Sequence, residues 1–338
     1  VKNDILYGLP FDEYQRIPAV NLSLLKHLEE SPGELEHARR NPKPPSEAMI
    51  HGSAIGCLVL EPHLFAKQYT RPPQQFAELP SSFVRAPAGF KGTLTAEKKW
   101  LAELRAGGCT VVKDADWTVN GLKMNTTAGK RWKALTEEAG THVLNMSDMQ
   151  RVRSAARSVL DYPLARALID AGRIEVTLVW YDEVHELWCK GRPDIYIEAA
   201  TQEIVDLFES RTPAGKSWMV PELGEPMIPD LKSTAKSVHP ERIGAVAYDG
   251  GWHQQLAYYA SGCAVITDRT HSWAGNIAVE QDGLFRCEVF RMPDEQLEQG
   301  GDEVGTMLQA YAHWSEKKQW PTSTGELQEL EFPAWARR

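Results

Sequence analysis

This sequence is poorly supplied with covalent or metal frameworks. Its five cysteines, Cys57, Cys109, Cys189, Cys263 and Cys287, are odd in number, scattered and never spaced C-x-x-C. That argues against a disulfide scaffold, a zinc site or an iron–sulfur cluster. Long apolar runs are missing too. The longest, 54–60, falls far short of the roughly eighteen residues that a membrane span needs. The opening Val1-Lys2-Asn3-Asp4 lacks the apolar stretch of a signal peptide. The expectation is a reducing, cytoplasmic setting with no membrane partner. Also absent are a G-x-x-x-x-G-K-[ST] phosphate loop, a G-x-S-x-G elbow and an H-E-x-x-H zinc motif, so three common chemistries find no support. With 42% hydrophobic and 25% charged residues, the 338-residue chain has the composition of an ordinary globular protein.

The net charge of −9 argues mildly against nucleic acid as a partner, but its distribution matters more. Residues 81–133 hold ten Lys and Arg against four Asp and Glu, an excess of +6 that leaves −15 for the remainder. A basic segment in an acidic protein suits one DNA-facing wall. A solvated helical surface explains the charge equally well.

Two short stretches carry candidate chemistry. Lys190-Gly191-Arg192-Pro193-Asp194 is answered, thirty-six residues from acid to acid, by Pro229-Asp230-Leu231-Lys232-Ser233-Thr234. Each reads as a strand end delivering an acid. Positions i and i+2 of a strand share a face, so Asp230 and Lys232 point the same way. Two carboxylates can hold a divalent metal, and a neighbouring ammonium can steady or deprotonate a water for attack on phosphate. Alone, an Asp-x-Lys pair is more often a solvated strand with a weak ion pair. The surrounding pieces decide between the two.

Apolar spacing predicts helix over 20–40, broken at Ser31-Pro32-Gly33, and a second helix from Ser46 to Glu61-Pro62 with small Gly52, Ala54 and Gly56. Residues 71–92 are Pro-rich and irregular. An internal echo follows: Thr95-Ala96-Glu97-Lys98-Lys99-Trp100 recurs thirty-two residues on as Thr127-Ala128-Gly129-Lys130-Arg131-Trp132. Each copy leads to a glycine, an apolar pair and an aspartate at equal distance. The basic pairs Lys98/Lys99 and Lys130/Arg131 are candidate phosphate-backbone contacts, against the alternative of solvated lysines beside an inward tryptophan. Ser147 and Asp148 read as the N-cap of a helix to residue 160, and Gly172 as the left-handed cap of a short helix after it. Alternation then predicts a hairpin over 175–192 and strands over 194–197 and 203–207. A long inserted loop, about 199–227, precedes the strand at 227–232. A helix at 252–261 places Gln255 and Tyr259 on one face. Strands at 273–280 and 284–291, a helix to 317 and an extended tail ending Phe332-Pro333-Ala334-Trp335 complete the order. The expectation is an α/β protein: a mainly helical portion, 1–172, packed on a mixed β-sheet core, 173–338, in one compact domain.

With these pieces in place, the chain resembles the PD-(D/E)xK nuclease superfamily. Within it the likeness is to RecE-type (exodeoxyribonuclease VIII-like) and RecB-family nuclease domains of phage or prophage type. The resemblance spans nearly the whole chain: Leu22-Ser23-Leu24-Leu25-Lys26 with Ser31-Pro32, Gly52-Ser53-Ala54 running into Leu60-Glu61-Pro62, Gly191-Arg192-Pro193-Asp194, Asp230-Leu231-Lys232-Ser233-Thr234, His253-Gln254-Gln255-Leu256-Ala257-Tyr258-Tyr259, Trp320-Pro321 and Pro333-Ala334-Trp335. It implies a restriction-endonuclease-like sheet flanked by helices, with Asp194 and Asp230 as metal-binding acids and Lys232 on the attacking water. Glu175 resembles the additional acid, the Leu231 carbonyl faces the metal, and Gln255 and Tyr259 match the Q-x-x-x-Y helix. The cofactor implied is Mg²⁺ or Mn²⁺. The activity implied is hydrolysis from linear double-stranded DNA ends, 5′ to 3′, by a ring-shaped homo-oligomer that supplies single strands to a RecT-like annealing protein.

Two departures are visible. Relatives place a histidine ligand where this chain has Gly56; His51 is the nearby surrogate, turned by about 140° on the helix. The gap from Asp194 to Asp230 also exceeds the usual dozen residues. Asp206 sits nearer that spacing, but Phe208 stands where lysine should be, which places Asp206 on an inserted strand. These departures motivate the alternative of a catalytically altered nuclease fold that binds DNA ends or a protein.

Overall fold

A computed structural model describes residues 2–87, 89–91, 93–271, 273–323 and 325. The architecture is mixed α/β. Three strands, Met227–Thr234, Trp273–Glu280 and Cys287–Arg291, form the central sheet, the first two parallel and the last antiparallel. Parallel neighbours need a crossover, supplied here by the helices Pro240–Asp249 and Trp252–Thr267. The Trp273–Glu280 strand is almost wholly apolar and buried until its last residue, as a middle strand covered on both faces must be.

A second, antiparallel sheet orders Asp4–Leu6, Thr177–Asp182 and Leu187–Gly191, the last two being the expected hairpin. Arg173–Ile174 pairs with Ile195–Tyr196, and a bridge from Ile197 to Met227 ties that pair to the central sheet. Asp194 is therefore delivered beside the Met227–Thr234 strand.

Helices cover both faces. Ala54, Ile55 and Val59 of the Glu47–Leu60 helix and Val152, Ala156 and Val159 of the Met146–Asp161 helix share a core with Met227, Ile277 and Val279. Leu22, Leu25, Trp180, Leu256 and Tyr258 pack with Ile228 and Ala278 on the other side. Each buried Val, Leu, Ile or Met among these contributes about 1.5–3 kcal/mol through burial. Ser46 caps the Glu47–Leu60 helix, accepting the Met49 N–H at 3.3 Å. Ser31 likewise caps the helix Pro32–Arg40, and the Gly33 N–H donates to the Pro321 carbonyl at 2.9 Å, joining two motifs almost a chain length apart.

The echo is a structural duplication. Each copy is a helix, a glycine at positive φ and a short strand: Thr95–Ala106, Gly108 and Thr110–Val112, then Thr127–Glu138, Gly140 and His142–Val143. Each strand pairs in parallel with an earlier one, Phe83–Arg85 and Tyr69–Thr70 respectively.

Four local expectations are corrected. Residues 203–207 are not a strand but part of the helix Gln202–Arg211, capped by Thr201; Ile204, Val205 and Phe208 recur at helical spacing and are its buried face. The inserted stretch 199–227 is thus partly helical rather than a loop, and Asp206 lies exposed on that helix. Asn145, not Ser147 or Asp148, caps the Met146–Asp161 helix, its Oδ1 accepting the Asp148 N–H. Gly172 is extended rather than left-handed; a Cβ there would lie 2.2 Å from Ile195 Cγ2, so closeness and not chirality demands the glycine. The helices Phe11–Arg16, Pro62–Gln68 and Pro240–Asp249 went unread, each opening on or beside a proline. Among the described residues no helix is long and apolar enough to cross a membrane. The expected tail from Phe332 to Trp335 lies outside the described residues.

Candidate active site

The strand Met227–Thr234 sends Asp230 and Lys232 to one side, as its pleat requires, and their side chains meet at 2.5 Å. Asp230 is fully buried. A dry carboxylate needs donors, and three side chains supply them. Besides Lys232, Gln255 Nε2 and Asn276 Nδ2 each lie 3.5 Å from its oxygens. Gln255 also accepts from Lys232 Nζ at 2.8 Å and donates to the Tyr259 hydroxyl at 2.8 Å. The Q-x-x-x-Y helix face is thus hydrogen-bonded into the acid–lysine pair. Gly191 makes room for it, since a Cβ at that position would lie 2.9 Å from the Tyr259 ring.

Asp194 arrives from the neighbouring strand and accepts the Leu231 N–H at 2.8 Å. The Leu231 backbone N–H is thus committed to this acid. Burial, then the charges of Asp230 and Glu175, push Asp194 well above the usual carboxylate range; Lys232 and the Leu231 N–H oppose this without cancelling it. For Lys232, burial pulls the ammonium down, but Asp230 and Asp194 outweigh it and hold it above its ordinary value.

Glu175 is not on the strand itself. It occupies a kink between Arg173–Ile174 and Thr177–Asp182 at φ +52°, a left-handed conformation that side-chain-bearing residues seldom adopt. Burial raises its carboxyl group, and a 2.6 Å bond from Arg192 Nε opposes that shift.

Asp194, Lys232 and Glu175 open onto a cleft of about 540 Å³, and the wholly buried Asp230 lies behind its wall. Glu175, Arg192, Asp194, Leu231 and Lys232 line it, facing Gly52, Gly56 and Glu61 of the first long helix and its cap. Gly56 borders open space: a Cβ there would meet nothing within 4 Å. His51 is on another side of the helix, 3.5 Å from Asp148, and is not brought to the cleft, as its rotation from position 56 dictates. Lys98, Lys99, Lys130 and Arg131 are exposed on the duplicated helices and do not line the cleft, whereas Trp132 is buried and Trp100 packs edge-on against Phe90.

Two functional candidates escaped sequence reading. Asn276 carries no motif, and only the register that sets it opposite Asp230 reveals it. Glu61 lay inside Leu60-Glu61-Pro62, where it read simply as a helix end. Another cleft of equal volume, beyond the Trp252–Thr267 helix, gathers Lys26, Glu29, His253, Gln254 and Glu303. There the polar groups satisfy one another, His253 with Glu303 at 2.9 Å and Gln254 with Glu303 and Glu29 at 2.8 and 3.1 Å, leaving no crowded acid pair.

Among the described residues no three His, Cys, Asp or Glu side chains gather closely enough to hold a metal by themselves. Asp194 and Asp230 still fit a hard divalent cation. Mg²⁺ is commonly held by one or two carboxylates with waters and substrate phosphate completing the shell, and Asp194 lies near the charges of Asp230 and Glu175, which add to burial in raising its carboxyl group.

No protein-family model and no curated protein matches the chain. Among solved structures it is similar to a crystal structure of a candidate exonuclease from Eubacterium rectale, with 13% identity, 96% of each chain covered and a TM-score of 0.48. A likeness that slight carries neither fold nor function.

Proposed function

We propose that the Asp194/Asp230/Lys232 cleft hydrolyses phosphodiester bonds in DNA as a divalent-metal-dependent exonuclease. The observation that carries this reading is the meeting of the fully buried Asp230 and the half-buried Asp194 with the Lys232 ammonium at an open cleft that Asp194 and Lys232 line. In this reading the fold is restriction-endonuclease-like, and the substrate is the end of a linear duplex, digested 5′ to 3′ as the RecE-type resemblance implies. Asp194 and Asp230 hold Mg²⁺ or Mn²⁺, with the Leu231 carbonyl, waters and substrate phosphate completing the shell, while Glu175 stays paired with Arg192. Such an ion supplies an activated water and stabilises charge on the phosphate. Lys232 holds the water by hydrogen bonding, while Gln255 and Tyr259 fix the lysine. Exposed Lys98, Lys99, Lys130 and Arg131 contact the DNA backbone, and a ring of protomers hands single strands to an annealing protein.

The test is degradation of 5′- and 3′-labelled linear duplex with and without Mg²⁺. Activity should require the ion and vanish in Asp230→Ala and Lys232→Ala. Cleavage that survives both substitutions, or persists in EDTA, sinks the reading. A second reading, a nuclease fold that binds DNA ends or a protein without cutting, is favoured by Gly56 in the cleft wall and by Arg192 occupying Glu175. Calorimetry with Mn²⁺ separates them, since the binding module gives no heat at Asp194 and Asp230.

A further inference from the structure

The cleft has an aromatic lip that the chemistry above does not use. Phe11 lines the same cleft as Glu175 and Asp194, yet is 59% exposed. A large exposed ring at the mouth of a polar cleft presents a flat apolar face to whatever enters it. Its backing is rigid. The Phe11 ring stacks on Tyr14 at 5.9 Å and 26°. The Arg192 guanidinium lies 5.8 Å from both ring centres, donates to the Leu9 carbonyl at 2.8 Å and reaches Glu175 at 2.6 Å. One side chain thus spans from the acid to the lip.

Beneath it lies Lys190, only 5% exposed, whose ammonium donates to the carbonyls of Tyr14, Gln15 and Ile17 at 3.0, 3.0 and 2.9 Å. Those carbonyls lie at the C-terminal end and cap of the six-residue helix Phe11–Arg16, where a cation adds hydrogen bonds to oxygens at the negative end of the dipole. Burying a lysine is costly unless each donor is met, and here all three hydrogen bonds go to holding this one short helix. The outcome is a fixed aromatic platform with a guanidinium behind it, at the mouth of an acid cleft.

We infer that Phe11 is a stacking platform for the nucleobase adjoining the scissile phosphate. Every base has a π-face, so such stacking tolerates sequence, as an end-degrading enzyme requires. The inference rests on the nuclease reading, but its test is separable. Fluorescence anisotropy with Ca²⁺ would compare wild type, Phe11→Ala and Phe11→Trp on duplexes with intact ends and with one abasic terminal nucleotide on either strand. Wild type should lose roughly ten-fold in affinity on one abasic end. Phe11→Ala should lose a similar factor on intact DNA and nothing more on the abasic end, and Phe11→Trp should bind like wild type. Equal losses for Phe11→Ala on both ends, or none on either, overturn the inference while leaving the nuclease reading intact. A wild-type protein that binds no duplex end overturns the nuclease reading itself. Because Phe11 is exposed, the alanine variant should keep the wild-type Tm.

Discussion

Asn276 shows how much of this centre depends on single side chains outside any motif. It is buried to 1% exposure and supplies one of the donors around Asp230. Asn276→Leu keeps the volume but withdraws that donor from a dry carboxylate, at a cost of roughly 1–3 kcal/mol. The expected result is a lower Tm with a larger fractional loss of DNA cleavage, read by melting and by the end-labelled assay. Asp194 gives a pH signature. Its folded pKa is raised, so the folded state holds the proton more tightly than the unfolded chain, whose value is about 3.9. The sign follows: this contribution to stability is full below the unfolded pKa and is lost as pH rises through the folded one. Thermal melts of the metal-free protein should therefore show Asp194→Asn gaining on wild type as pH rises from about 4 to neutrality. Added Mg²⁺ should then stabilise wild type and not the variant. A difference that stays flat across that range contradicts the raised pKa.

At the scale of elements, the Glu47–Leu60 helix and the Met227–Thr234 strand form opposite walls of the cleft, and Gly56 is the gap between them. Because a Cβ at Gly56 meets nothing within 4 Å, the position admits a side chain without rebuilding the wall. Gly56→His should fold normally, gain the helix preference that glycine lacks by up to about 1 kcal/mol, and bind Mn²⁺ more tightly in calorimetry. Unchanged Mn²⁺ affinity would mean that this helix face does not reach the ion. Gly191 behaves in the opposite way. Gly191→Ala drives a methyl group toward the Tyr259 ring and displaces the tyrosine that Gln255 grips, so stability and cleavage should fall together.

For the whole molecule, the decisive feature is charge held apart. The +6 excess over 81–133 sits within an acidic chain, and the pairs Lys98/Lys99 and Lys130/Arg131 are exposed on two copies of one helix–strand unit. If both copies follow a DNA backbone, replacing all four by alanine should weaken duplex binding, flatten its salt dependence by up to about three to four units of slope, and leave cleavage at saturating DNA unchanged. An unaltered slope would assign these cations to ordinary solvated surface.

Local chemistry determined much of this protein directly. The strand pleat placed Asp230 beside Lys232, one helical turn placed Gln255 beside Tyr259, and serine caps with prolines marked the helix starts at Pro32 and Glu47. Where local pattern was ambiguous it misled. The run 203–207 suits strand and helix alike over five residues, and only its buried face, continued to Phe208, makes it a helix. Glu175 read as a strand residue, because a left-handed kink at a glutamate is imposed by tertiary contacts and has no sequence signal. Asn276, Glu61 and Phe11 were invisible for a related reason. Each acquires its role from an element distant in the chain, through strand register, helix packing and a buried lysine respectively. Periodicity reports what neighbours a few residues apart share. Which distant segments share a cleft is decided by packing alone.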